Sequence, residues 1–207
     1  MAYGLRPVKG LSGGYQSGGF TEYRMIDGET DDIFTGDFMN RETNGYVARL
    51  NGETGISPTT TNAATVTLGV AVGFRYVDAD STPRWSQKYV GHASNVDCYA
   101  FIADNPDQLF MVEANGSTAT TDRADMGMNI PAIAFDSAAA VTQNTGNSAM
   151  QVASDAAAAT AALGLRLIAI VQDGKNEFRS GTQTNNVIVK INSASHSYGT
   201  SVVVAPA

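Results

Sequence analysis

Cysteine is nearly absent. Cys98 is the only one in 207 residues, which excludes an internal disulfide and any Cys-x-x-Cys zinc site; read alone, it is a buried and inert thiol. Charge is also scarce. Asp, Glu, Lys and Arg make up 16% of the chain, below the usual quarter. The 13 basic and 20 acidic residues leave a net charge of −7, and no Lys/Arg cluster stands anywhere. Nucleic acid bound through its phosphates needs a basic face and an anionic membrane surface needs a polybasic patch, so neither partner is expected. Long apolar runs are missing too: Leu165 to Val171 is the longest, and Arg166 interrupts it. That is far too short to span a membrane. The first ten residues, MAYGLRPVKG, lack the apolar centre of a signal peptide, so synthesis and solubility in a cytoplasm are expected.

Histidine occurs twice, as His92 and His196. HSYGTS at 196–201 surrounds one of them with hydroxyls, which brings a Ser–His hydrolase to mind. A serine nucleophile needs a positioned base and an orienting acid, and no Gly-x-Ser-x-Gly elbow exists to expose one. A polar turn between strands is the simpler reading. GGYQSGG (13–19) does not follow a strand, does not open a helix and lacks the lysine of a phosphate-binding loop. DADSTPRW (78–85) has Pro83 and Tyr89 where a calcium loop needs Gly and a bidentate Glu. Asp27, Glu29, Asp31 and Asp32 are dense enough to hold calcium if folded together, but a solvated acidic loop accounts for them as well. No catalytic residue, metal or cofactor is therefore expected.

What is abundant is glycine, with 21 residues, and small polar residues between short apolar runs. Residues 1–20 read as a Gly-rich arm, loosened by Gly10, Gly13, Gly14, Gly18 and Gly19 and made adhesive by Leu5, Leu11, Tyr15 and Phe20. Ordering glycine costs entropy, so the arm is expected to lie on a neighbour or on the domain itself. Residues 21–207 read as one β-rich domain. Thr21–Ile26, Ile33–Asn40, Tyr46–Leu50, Arg84–Val90, Val96–Ala103, Gln108–Ala114, Ile130–Phe135, Leu165–Val171, Asn186–Ile191 and Ser201–Ala205 are strand-like, with turn residues between them. Asn44-Gly45 suits a type I′ hairpin turn.

TVTLGVAVGFRYV (65–77) has the clearest period of two in the chain. It places Val66, Leu68, Val70, Val72, Phe74 and Tyr76 on one face. Gly69 and Gly73, on the other face, predict a bulge or the close approach of another chain. SDAAAATAALG (154–164) predicts one short Ala-rich helix, with Ser154 as N-cap and Gly164 just past its end. Residues 137–149 read as a surface loop. The expected class is mainly β, an antiparallel β-sandwich or barrel with an N-terminal arm and one short helix.

DNPDQLFMVEANG (104–116) gathers Asp104, Asp107 and Glu113 within ten residues. An acid/base pair must flank a cleft, whereas Asn105 and Pro106 are ordinary turn formers, so two punctuated strands are expected. Trp85 is the lone tryptophan, beside Arg84 and four residues before Tyr89. Aromatics with Arg anchor interfaces; packing at a hairpin end is the alternative.

Several stretches, taken in order, carry a resemblance: YGLRPV (3–8), GGFTEY (18–23), IFTGDFM (33–39), VGFRYVD (72–78), WSQKYV (85–90), YAFIADNPDQLFMVE (99–113), LRLIAIVQD (165–173) and VIVKIN (187–192). Together the chain resembles the cement or decoration proteins on the heads of tailed bacteriophages, over nearly its whole length except 114–160. The resemblance implies a β-rich domain, usually a homotrimer, on the outer face of the virion's capsid, where it clamps major capsid protein subunits. On that reading Tyr3, Leu5, Arg6, Pro7, Tyr15 and Phe20 are candidates for capsid contact, and Trp85 and Tyr89 for subunit contact. Two other roles fit a β-rich chain: a tail- or fibre-associated protein that stacks host glycan on Trp85, and an envelope hydrolase using His196.

Overall fold

In the computed structural model, residues 3–11, 19–42, 44–50, 67–115, 123–133, 145–153, 156–159, 163–171 and 185–198 are described. Runs of β-branched and aromatic residues favour strands, and Gly, Asn and Asp between them favour turns. The strands are β1 (Arg6–Gly10), β2 (Thr21–Arg24), β3 (Ile33–Phe34), β4 (Phe38–Arg41), β5 (Val47–Arg49), β6 (Gly69–Val77), β7 (Pro83–Ser86), β8 (Lys88–Tyr89), β9 (Val96–Ala103), β10 (Gln108–Asn115), β11 (Asn129–Ile130), β12 (Ala132–Ile133), β13 (Gln151–Ala153), β14 (Leu165–Ile170) and β15 (Asn185–Ile191). The protein is mainly antiparallel β, as expected, and among the described residues no helix reaches seven residues.

The first sheet runs β11-β14-β15-β10-β13-β12, and β1 also pairs with β10. β10 is its centre. Leu109 to Ala114 pair with Lys190 to Asn185 of β15. On its other edge β10 takes β1 near its start, from Gly10↔Gln108 to Arg6↔Met111, and a parallel β13 at its end, Ala114↔Val152. The second sheet runs β2-β9-β6-β4-β5 with β7 on β6, and β3 pairs with β8 separately. Just past β2, Met25 bridges Val47 of β5. The two edges of the second sheet therefore meet, and the sheet curls into a small barrel.

Two cores result. One combines residues of the first sheet, among them Phe110, Val152, Leu165, Leu167 and Val189, with Phe38, Val70 and Ala103 from the barrel wall. The other is the barrel's filling: Met25, Ile33, Met39, Phe74, Tyr76, Tyr89, Cys98, Ala100 and Ile102. β6 serves both. A bulge between Ala71 and Gly73 shifts its register. As a result Val70 and Val72 face the first core, while Ala71, Phe74 and Tyr76 face the second. The single apolar face read over 65–77 is thus split between two cores, because one extra residue inverts the alternation beyond it. At Gly69 the close approach is made by this chain's own β9 and not by another chain: a Cβ there would lie 2.3 Å from the carbonyl oxygen of Ala103.

Residues 3–11 of the arm lie on the domain itself, one of the two placements expected for them, while two other expectations change. Arg6–Gly10 is a strand of the first sheet, Tyr3 Oη donates to Asn186 Oδ1 at 2.7 Å, and Leu5 is fully buried in the first core. Residues 12–18, with Tyr15, fall outside the described residues. The Ala-rich helix does not run through 156–159, because Ala158 exchanges both main-chain hydrogen bonds with Asn129. Alanine's preference is a weak force over so short a segment, and a waiting strand edge outweighs it. The segment read as a surface loop carries Ser148, which is buried; its N–H donates to the Thr35 carbonyl at 2.8 Å. Ser201–Ala205 lies outside the described residues.

Leu5→Ala is expected to destabilise the fold by about 2–5 kcal/mol, as a buried leucine truncation does. Urea unfolding checks this, and an unchanged midpoint would mean that residues 3–11 are peripheral to the core.

Candidate functional site: an aromatic and arginine face on the barrel

Strand alternation sets the site. On β9, Cys98, Ala100 and Ile102 point into the barrel, so Tyr99 and Phe101 point out. On β6, beyond its bulge, Phe74 and Tyr76 point in and Gly73 and Arg75 point out. The register aligns these strands with their neighbours. Trp85 of β7 stands opposite Arg75, Arg75 opposite Tyr99, and Tyr99 opposite Arg24 of β2. One row across four strands therefore reads Trp85, Arg75, Tyr99, Arg24. The next row holds Gly73, Phe101 and Glu22.

The side chains interlock. The Arg75 guanidinium sits 4.1 Å from the Tyr99 ring centre and 5.8 Å from that of Trp85. Arg24, from the other side of the row, places its guanidinium 5.9 Å from the Tyr99 ring centre. Trp85 and Phe101 stack at 5.7 Å with 21° between their planes. Gly73 lies between the strands that carry the two rings, and an added Cβ there would meet Phe101 at 3.8 Å, an ordinary contact. Arg75 Nε and Nη2 both donate to Glu22 Oε1, at 2.9 and 2.8 Å, and this bond holds the guanidinium charged. Arg24 donates to Asp27 at 3.1 Å. Exposed cation–π contacts contribute about 0.5–1 kcal/mol each. Their main effect here is to fix rotamers, so the face is ordered before anything binds. Trp85 nevertheless remains 71% exposed.

Beside Trp85 opens a shallow groove of about 440 Å³, lined also by Asp78, Arg84, Lys88, His92 and Asn95. Asp78 locks its wall. It accepts the N–H groups of Asp80 and Thr82 and the Arg84 guanidinium, and these hydrogen bonds, the Thr82 one foremost, lower its pKa. That carboxylate is a turn cap.

The other sequence candidates are dispersed. Tyr89 is fully buried in the barrel, its ring 4.8 Å from that of Tyr76 and its hydroxyl donating to the Glu29 carbonyl; it cannot be a subunit contact. Leu5 cannot touch a partner for the same reason. Arg6 and Phe20 are exposed, and Tyr3 and Pro7 half-buried. Cys98 is buried 3.6 Å from the Tyr89 hydroxyl, and burial pushes its thiol pKa up. Asp104 accepts from Tyr23, Asp107 from Lys190 and Glu113 from Gln151, so the three carboxylates of 104–113 serve three separate structural bonds. Asp27, Glu29 and Asp32 likewise accept from Arg24, from the Asp31 N–H and from the Gly91 N–H, and Asp31 forms an ion pair with Arg49 at 3.9 Å. Among the described residues no group of three His, Cys, Asp or Glu is placed to hold a metal ion. His196 is buried, and its Nδ1 accepts the Tyr198 N–H at 3.1 Å.

Sequence reasoning singled out Trp85 and missed the platform beneath it: Arg75, Tyr99, Phe101, Arg24 and Glu22. The signal was there in part. Tyr99 and Phe101 alternate with small apolar residues along β9, and the 78–82 turn sets Arg75 against Trp85.

No known family, curated protein or solved structure matches the chain. Fold and site together define a β protein with a preformed aromatic–arginine face. Among the described residues no helix is long and apolar enough to cross a membrane.

Proposed function

We propose that the chain is a non-enzymatic structural protein of a tailed-phage virion. It binds the outside of the capsid as a homotrimer, through the Trp85 face, and stabilises contacts between major capsid protein subunits. One observation carries this reading: an indole that is 71% exposed yet held in a four-strand row of stacked groups. A protein surface seldom keeps a large ring both ordered and wet unless a partner covers it, and Trp, Tyr and Arg are the residues that dominate binding energy. The resemblance in sequence to head decoration proteins supplies the partner. A clamp that binds assembled subunits better than free ones stabilises the shell by linkage, and many copies multiply modest contacts. Arg6, Pro7 and Phe20 remain accessible for secondary contacts, with Tyr3 partly so.

The groove beside Trp85 favours a second reading, in which the indole stacks a host glycan. Light-scattering mass of the purified chain, alone and with heads stripped of accessory proteins, tests the first. A trimer that pellets with heads at a fixed ratio to coat protein is the expected result. A monomer indifferent to heads would overturn it, and loss of host-cell binding in Trp85→Ala would then favour the glycan.

A further inference from the structure

We infer that residues 195–198 form an acid-released clasp on the barrel, with His196 as its catch. The segment lies along Thr67: the Thr67 N–H donates to the Ser195 carbonyl, and the Ser197 N–H donates back to the Thr67 carbonyl, both at 2.9 Å. At its end Tyr198 reaches the Tyr23 hydroxyl, oxygen to oxygen 2.5 Å. Tyr23 spends its proton on Asp104 Oδ2 at 2.6 Å, so Tyr198 is the donor, and the chain runs Tyr198 to Tyr23 to Asp104.

His196 is 1% exposed. Because Nδ1 accepts the Tyr198 N–H, the ring is neutral with its proton on Nε2. Among the described residues that nitrogen is buried with no hydrogen-bond partner, and only Asp104, through its charge and its main chain, favours a second proton. Protonation would place an N–H at Nδ1 against the Tyr198 N–H and put a charge into the barrel wall. The charged and titratable groups around the ring are Asp104, Lys190, Tyr23 and Tyr198. Burial is the largest effect and lowers the imidazole pKa; Asp104 opposes this, and Lys190 reinforces it. Lys190 is itself held by Asp107 at 2.6 Å, which tempers its effect.

The sign follows from linkage. With the clasp closed His196 binds its proton less readily than with the clasp open. Closure is therefore fully favoured above the ordinary histidine pKa of about 6.5 and weakens as pH falls below it, about tenfold per pH unit until His196's own pKa is passed. Opening frees the Thr67 main chain, Tyr23 and Asp104 together.

Amide hydrogen exchange of the isolated chain tests this without any partner, so its failure would leave the docking face untouched. In a His92→Asn background His196 is the sole imidazole. The Ser197 amide is expected to lose protection about tenfold per pH unit in mild acid, in step with the His196 ring titration, while amides in the β10–β15 ladder keep theirs. His196→Asn, whose Oδ1 can accept the Tyr198 N–H without titrating, is expected to hold protection constant. Tyr23→Phe should loosen the clasp at every pH and move the His196 titration upward; it serves also where His196→Asn fails to fold. A His196 that titrates while the Ser197 amide stays protected would overturn the clasp, and so would an unchanged acid response in His196→Asn.

Discussion

Gly69→Ala is expected to destabilise the protein by roughly 3 kcal/mol or more, at the upper end of overpacking costs. The added Cβ would meet the Ala103 carbonyl oxygen at 2.3 Å and its carbon at 2.9 Å. Those are backbone atoms of β9, so no side-chain rotation relieves the clash. β9 is paired on both sides, with β6 and β2, and moving it disturbs both cores. Gly19→Ala is the control, because none of the described residues lies within 4 Å of a Cβ there. Urea midpoints read the difference. Equal midpoints for the two variants would show that the barrel wall yields, and that two cores do not meet rigidly at β6.

Trp85→Ala is expected to weaken docking by about 2 kcal/mol or more, roughly 30-fold in affinity, as loss of a central interface anchor does. Stability should change far less, since the ring is 71% exposed and among the described residues stacks on Phe101 alone. That stacking contributes about 0.5–1.5 kcal/mol. Docking should also tolerate salt. Arg75 and Arg24 each carry their own carboxylate, Glu22 and Asp27, which leaves little unpaired charge on the row for salt to screen. Pelleting with heads at low and high ionic strength reads both effects. A steep loss with salt at unchanged Trp85→Ala affinity would place the contact elsewhere, with Arg6 and Phe20 the first alternatives.

The strands were legible where one local signal set them. β9 runs from Val96 to Ala103 as read, and β10 differs from the reading by one residue at its end. The Asn44-Gly45 turn does join β4 to β5, and Gly45 has a positive φ. What could not be read depends on contacts distant in sequence. Leu5 looks like one apolar residue in a glycine-rich arm; it is core because Gly4 and Gly36 cross with less than 3 Å to spare for a Cβ. The Ala158 bridge needs Asn129, and the barrel closes only because Met25 meets Val47. The candidate site was half legible for the same reason. Trp85 stands out by composition, but Tyr99, Phe101 and Arg75 join it only once the β6 bulge has set which residues face out.

The most direct measurement is hydroxyl-radical footprinting of Trp85, the protein's only tryptophan, free and bound to heads. The structure leaves it open to oxidation in the free chain, and docking through this face should protect it strongly while Tyr198, 53% exposed in the clasp, reacts as before. Oxidation of Trp85 at the same rate in both states, with the protein demonstrably on the heads, would contradict the central claim.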